Sequence, residues 1–193
     1  EGCDIIISKI DGVDGALTAS TFIGGSENDG LNLGTQLNYN YGDVCRGEVM
    51  VDPQGDVWLA TSTRSDDFPM ANAFDPGLNG PSDAVILRLS EDLEDLEFSS
   101  YFGGNQDDAA YAVQFAQGST TAYVAGGTRS DDLPTSPDAY QPDLAGESDG
   151  YVFALNYAPA IPILAAATYF GPADYDHPHF LTVDSEILFP LRG

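Results

Sequence analysis

The stretch Thr61-Ser62-Thr63-Arg64-Ser65-Asp66-Asp67-Phe68-Pro69 returns further along as Gly126-Gly127-Thr128-Arg129-Ser130-Asp131-Asp132-Leu133-Pro134. Upstream of each copy, at the same offset, lie the apolar runs Val57-Trp58-Leu59-Ala60 and Ala122-Tyr123-Val124-Ala125. A second unit occurs three times, running from Cys3-Asp4 to Ile10, from Ser82-Asp83 to Leu89 and from Ser148-Asp149 to Leu155. Its companion recurs as Ser20-Thr21-Phe22-Ile23-Gly24-Gly25, Ser99-Ser100-Tyr101-Phe102-Gly103-Gly104 and Ala167-Thr168-Tyr169-Phe170-Gly171. Matches of this length at near-constant spacing mark a repeat architecture.

Each repeat holds four strand-like runs. In one, Tyr111 to Phe115 leads through a Gln117-Gly118-Ser119 turn to Ala122–Gly126, and a long loop then leads to Tyr151–Leu155 and Leu164–Phe170. These runs are rich in Val, Phe, Tyr and Leu and are bounded by Gly, Asp and Pro, as strands are. No window sustains a helical period. Four strands in each repeat, with no helix between them, predict an all-β chain. The expected fold is a β-propeller of four-stranded antiparallel blades, with about three blades present as a partial propeller. The divisions are a half blade at 3–25, an insertion loop at about 26–44, blades at 45–104 and 109–171, and an incomplete blade at 179–191, where Pro190 removes a ladder donor. The rival reading, two β-sandwich domains, does not call for a sequence repeat every four strands. Three blades cannot close a ring, so the expectation is a portion of a longer propeller, or two copies sharing one ring.

The string Ser-Asp-x-hydrophobic, then Ser/Thr-Tyr/Phe-Phe/Ile-Gly-Gly, an Asp pair and Thr-Arg-Ser-Asp-Asp-Phe/Leu-Pro resembles the bacterial seven-bladed β-propeller repeat family (SBBP repeats). The resemblance runs from Asp4 to about Phe170 and departs at Gly171-Pro172, where the Gly-Gly pair is broken. It implies a large secreted or cell-surface bacterial protein, often with immunoglobulin-like modules and a C-terminal sorting domain for type IX secretion. The chain opens at Glu1 with no signal-peptide pattern, so an export signal is expected to have been removed or to lie outside it.

Acidic residues number 31 against six Lys and Arg, for a net charge of −25. Phosphate contacts need clustered basic groups, so nucleic acid is excluded as a partner, as is an anionic membrane surface. No apolar run reaches the length of a membrane span, so no membrane insertion is expected. The charge reads as a solvated, self-repelling surface; the alternatives are a high-salt habitat or bound calcium neutralising some carboxylates.

If the strands of each blade run outward from the axis, the loops 64–81 and 129–146 and the connections 24–44, 103–109 and 171–178 share one face. Function concentrates on long loops held by a scaffold, so the candidates lie there. Asp66, Asp67, Asp131 and Asp132 recur, which reads as turn capping with local pairing of Arg64 or Arg129; the alternative is a calcium site completed by loop carbonyls. Gly24 and Gly103 stand further apart than Asp66 and Asp131 do, so the first connection carries an insertion that the next one lacks. Within it, Asn38, Tyr39, Asn40 and Tyr41 suit a glycan-binding loop, stacking on sugar faces and bonding hydroxyls, or else pack down as an ordinary surface loop. Asp174-Tyr175-Asp176-His177-Pro178-His179 holds both histidines, and Asp176, His177 and His179 form a candidate transition-metal set, with a plain turn as the alternative. Cys3 and Cys45 fall on the same face, where a disulfide would tie the insertion to the neighbouring blade.

The expected function is a non-catalytic extracellular scaffold, adhesion or ligand-binding segment acting through its acidic long-loop face. Its partners would be other segments of the same polypeptide, surface proteins or glycans. It needs no cofactor, with calcium as the option. The alternative is a glycosidase or polysaccharide lyase using Asp/Glu acid–base chemistry. The sequence holds no nucleophile elbow, phosphate loop or cofactor signature.

Overall fold

The computed structural model describes residues 2–32, 37–38, 41–173, 175–178 and 180–183. Tyr39, Asn40, His179 and most of the expected incomplete blade lie outside these residues. Among the described residues ten strands follow in chain order: β1 (Ile5–Ile10), β2 (Leu17–Ile23), β3 (Glu48–Val51), β4 (Val57–Thr63), β5 (Asp83–Leu89), β6 (Leu96–Phe102), β7 (Asp108–Phe115), β8 (Thr121–Thr128), β9 (Asp149–Asn156) and β10 (Ile163–Phe170). Strand and bridge residues make up 44% of the described residues, among which no α-helix occurs, so the protein is all-β as expected. A short 3-10 helix spans Tyr41–Cys45.

The strands form three antiparallel meanders with neighbours in chain order, β1-β2, β3-β4-β5-β6 and β7-β8-β9-β10. Up-and-down pairing follows from the tight turns. Asp52 Oδ1 accepts the Gln54 and Asp56 N–H groups at 2.9 and 3.1 Å, and Gly55, at φ 100°, closes the β3–β4 turn in a conformation that favours glycine. The described residues form no closed ring.

The sheets stack face to face. Ile7 and Ile23 of the first sheet pack on Leu59, Val85, Leu87 and Tyr101 of the second. The opposite face of the second sheet, with Trp58, Ile86, Phe98 and Phe102, meets Val124, Tyr151, Phe153, Leu155 and Tyr169 of the third. The second sheet is thus covered on both sides, which is why β4 and β5 read as near-continuous apolar runs rather than alternating ones. Trp58 is fully buried, its indole N–H donating to Asp52 Oδ2 at 3.0 Å. The outer faces of the stack stay open: Ile6, Ile10 and Phe22 are exposed on the first sheet and Phe170 on the third.

The recurring Thr-Arg-Ser-Asp-Asp string acquires a mechanical role. In one copy the buried Asp29 accepts from Thr63 Oγ1, from Ser65 Oγ at 3.2 Å and from Gly25 N at 2.7 Å. Glu27 N donates to Ser65 Oγ at 2.9 Å and Ser26 N to Asp67 Oδ1 at 2.7 Å. The other copy repeats this pattern. Asp108 Oδ2 accepts from Ser130 Oγ at 2.7 Å and Gly104 N at 2.8 Å, while Asn105 N donates to Asp132 Oδ1 at 2.9 Å. Tyr101 and Tyr169 pin each string to the last strand of its own sheet, their hydroxyls donating to Ser65 O at 2.6 Å and Ser130 O at 2.8 Å. Each string therefore ties the end of one sheet to the start of the next.

Candidate functional site

Both single-copy features of the sequence, the insertion and the histidine segment, meet in space. The insertion is anchored by Asn32, which accepts from Ser62 Oγ at 2.7 Å and donates to Asp43 O at 2.8 Å. Leu37 is buried against Ala109 and Tyr111 at the start of β7. The 3-10 helix then delivers Asp43 and, just beyond it, Arg46 to the edge where β3 and β7 adjoin.

Arg46 organises the site. Its NH1 pairs with Asp43 Oδ1 at 3.2 Å and its NH2 donates to Pro178 O at 2.8 Å. The guanidinium carbon lies 3.8 Å from the centre of the Tyr111 ring, a cation–π contact. Both charged side chains are nearly enclosed, at 12% and 2% exposure, where such pairs interact more strongly than on a surface. Across from them, Tyr175 OH meets His177 Nδ1 at 2.8 Å and donates to Asp43 Oδ2 at 3.4 Å, and Tyr111 OH lies 3.4 Å from the same imidazole nitrogen. Burial pushes the Tyr111 hydroxyl well above its ordinary range, with Arg46 opposing the shift. A neutral phenol is therefore the form that faces the imidazole.

Gly127 makes room for this arrangement. A β-carbon there would come within 2.6 Å of His177 Nε2, whereas the equivalent position in the preceding repeat is Ser62, which holds Asn32 instead. Glu48 at the start of β3 steadies β7, accepting from Val113 N at 2.7 Å beside the register shift at Ala110/Ala112. Grooves flank the cluster on two sides. One, of 310 Å³, is lined by Cys45, Arg46, Glu48, Tyr111 and Phe180, and the other, of 440 Å³, by Tyr140, Gln141, Phe170, Asp176 and His177.

The sequence-derived candidates distribute as follows. Asp66 and Asp67 are exposed, as are Asp131 and Asp132. The Ser26 N–H holds the Asp67 carboxyl below its ordinary range, and Asp131 Oδ1 accepts from Asn105 Nδ2 at 3.1 Å. Asp176 and His177 lie together, but His177 is engaged by tyrosines. Among the described residues no group of three or more His, Cys, Asp or Glu side chains is placed to hold a metal ion. Asn38 is half-buried beside Leu37, and Tyr41 begins the 3-10 helix. Cys3 and Cys45 are exposed thiols that line one groove of 380 Å³ between the first and second sheets, together with Asp4, Asp29 and Arg46.

Sequence reading missed Asp43, Arg46, Tyr111 and Tyr175, and also the buried Asp29 and Asp108. A usable signal existed for the last two, since Asn28-Asp29 and Asp107-Asp108 occupy matching places after the Gly-Gly pairs. No protein-family model matches the chain, and no curated protein matches it. No helix among the described residues is long and apolar enough to cross a membrane.

Proposed function

We propose that the chain is a non-catalytic β-propeller segment of an exported bacterial surface protein, its sheets being successive blades and its acidic loop face the surface offered to ligands. One observation carries the reading: the same sheet-to-sheet junction, in which Ser65 and Asp67 hold the backbone that follows β2 and Ser130 and Asp132 the backbone that follows β6, occurs twice in register with the sequence repeat. Blades of a propeller stack this way around an axis. The open faces support the same view. Phe170 and Tyr140, exposed at the end of the stack, stand at the repeat positions of Phe102 and Phe74, which are packed inside it. Further blades, from the same polypeptide or another surface protein, would cover them. The SBBP resemblance of the repeat is the ground for an exported bacterial setting.

For ligand binding, the Asp43–Arg46–Tyr111–Tyr175–His177 cluster supports a positioning role rather than turnover, because Asp43 is held by Arg46 and Tyr175, and His177 Nδ1 by Tyr175. It sets the base of the insertion firmly between two grooves. A glycan array run beside a screen of polysaccharide hydrolysis tests the reading. Binding without turnover is expected; hydrolysis or elimination abolished by a single Asp substitution would refute it.

A further inference from the structure

The junction between the second and third sheets brings two aspartates together at its centre. Asp83 opens β5, Asp108 opens β7, and Gly103 stands between them. A β-carbon on Gly103 would lie 2.6 Å from Asp83 Oδ1 and 2.9 Å from Asp108 Oδ2, so both carboxyls crowd one point that only glycine leaves free. Both side chains are 0% exposed. Asp83 accepts from Asn79 N at 2.8 Å and Gly80 N at 3.1 Å. Asp108 Oδ2 accepts from Gly104 N and Ser130 Oγ, whereas its Oδ1 receives no hydrogen bond among the described residues.

Nothing basic answers them: among the described residues, neither aspartate forms an ion pair. The titratable groups that face the pair are Asp75 and Asp107 around Asp83, and the Tyr101, Tyr111, Tyr151 and Tyr169 hydroxyls from the packed strands. Two carboxylates enclosed at close range cannot both stay ionised without compensation. The Thr128 hydroxyl, Ser130 Oγ and Gly104 N oppose this by favouring the charged form of Asp108, but burial outweighs them. The preceding junction is built differently: Asp4 is exposed, and Asp29 Oδ1 already receives the Thr63 hydroxyl.

We propose that Asp83 and Asp108 hold one proton between them at neutral pH, and that its loss in alkaline medium loosens the contact between the second and third sheets. Burial is the leading cause in both cases, pushing Asp83 up to about 7 and Asp108 up to about 8. The folded protein therefore keeps protons that the unfolded chain, with ordinary carboxylates near about 4, has released. The stability these groups contribute is greatest below about pH 4, falls as the pH rises toward about 8, and is level above that. Cohesion between the sheets is thereby tied to the acidity of the surroundings.

Thermal melts of the full chain between about pH 6 and about pH 9, with calcium and with chelator, test this. The wild-type melting temperature is expected to fall by roughly 5 °C more than that of Asp108→Asn, whose neutral amide keeps the shape without the proton. The comparison with the variant separates this effect from general charge repulsion, which both proteins share. Asp131→Asn, on the exposed turn, should keep the wild-type slope. An equal slope in Asp108→Asn would overturn the proposal, as would a calcium-induced rise at high pH that the variant loses, since the pair would then hold a metal ion. Infrared spectra of the wild type provide a readout independent of how the variant folds. A protonated-carboxyl C=O band at neutral pH that bleaches by about pH 9 is expected, and its absence would overturn the proposal.

Discussion

Replacing Tyr169 by Phe removes one buried oxygen and leaves the ring in place. That oxygen donates to Ser130 O at 2.8 Å and accepts from Leu133 N at 2.9 Å, and Tyr169 and Ser130 are both almost fully enclosed. The substitution leaves Leu133 N without its acceptor and Ser130 O with only the long contact from Thr128 Oγ1 at 3.5 Å. Each unsatisfied buried group costs about 1–3 kcal/mol, so Tyr169→Phe should destabilise the protein by about 2–4 kcal/mol. For a chain of this size that corresponds to a fall in melting temperature of roughly 5–15 °C. Urea unfolding followed by circular dichroism measures it, with the dependence on urea unchanged if the fold is kept. Tyr140→Phe is the control, because that hydroxyl is on an 84% exposed side chain and should shift stability by less than about 0.5 kcal/mol. A Tyr169→Phe protein as stable as the wild type would refute the idea that these hydroxyls hold the junction strings in place on their sheets.

Gly126→Ala would place a methyl 2.0 Å from Ala109 O and 2.4 Å from the Tyr151 hydroxyl, so a loss of about 3 kcal/mol or more is expected in the same unfolding assay. Arg46→Lys keeps the charge but not the fork that reaches Asp43 and Pro178 while stacking on Tyr111; faster limited proteolysis within 175–183 is expected, with unfolding changed by about 1–2 kcal/mol. In reduced native protein, both Cys3 and Cys45 should react readily with a thiol reagent, since both are exposed; peptide mapping after air oxidation then shows whether their shared groove lets them pair.

The strands were the most legible part of the chain. Val57–Ala60 and Ala122–Ala125 announce themselves by apolar, β-favouring composition, and their recurrence at the spacing of the Thr-Arg-Ser-Asp-Asp string supports the assignment. Strand starts were harder to place. β7 begins at Asp108 rather than Tyr111, because Asp108 N donates to Ser82 O at 2.7 Å and the strand pairs from there. Nothing in the local sequence of Asp-Asp-Ala-Ala favours a strand. The candidate site was legible only in pieces. The insertion and the histidine segment each stood out as features of one repeat, but Arg46 and Tyr111 are ordinary residues until stacking sets them 3.8 Å apart.

Composition, periodicity and repetition determined the all-β class, the four-strand unit and the acidic surface, since these depend on residue type and near-neighbour spacing alone. Which carboxylates are surface and which are core was a tertiary decision. Asp66 and Asp67 follow one strand and are exposed, while Asp83 and Asp108 begin others and are completely enclosed. The residue type is the same in both places. What differs is whether another sheet closes over the side chain, and that follows from stacking between segments far apart in sequence.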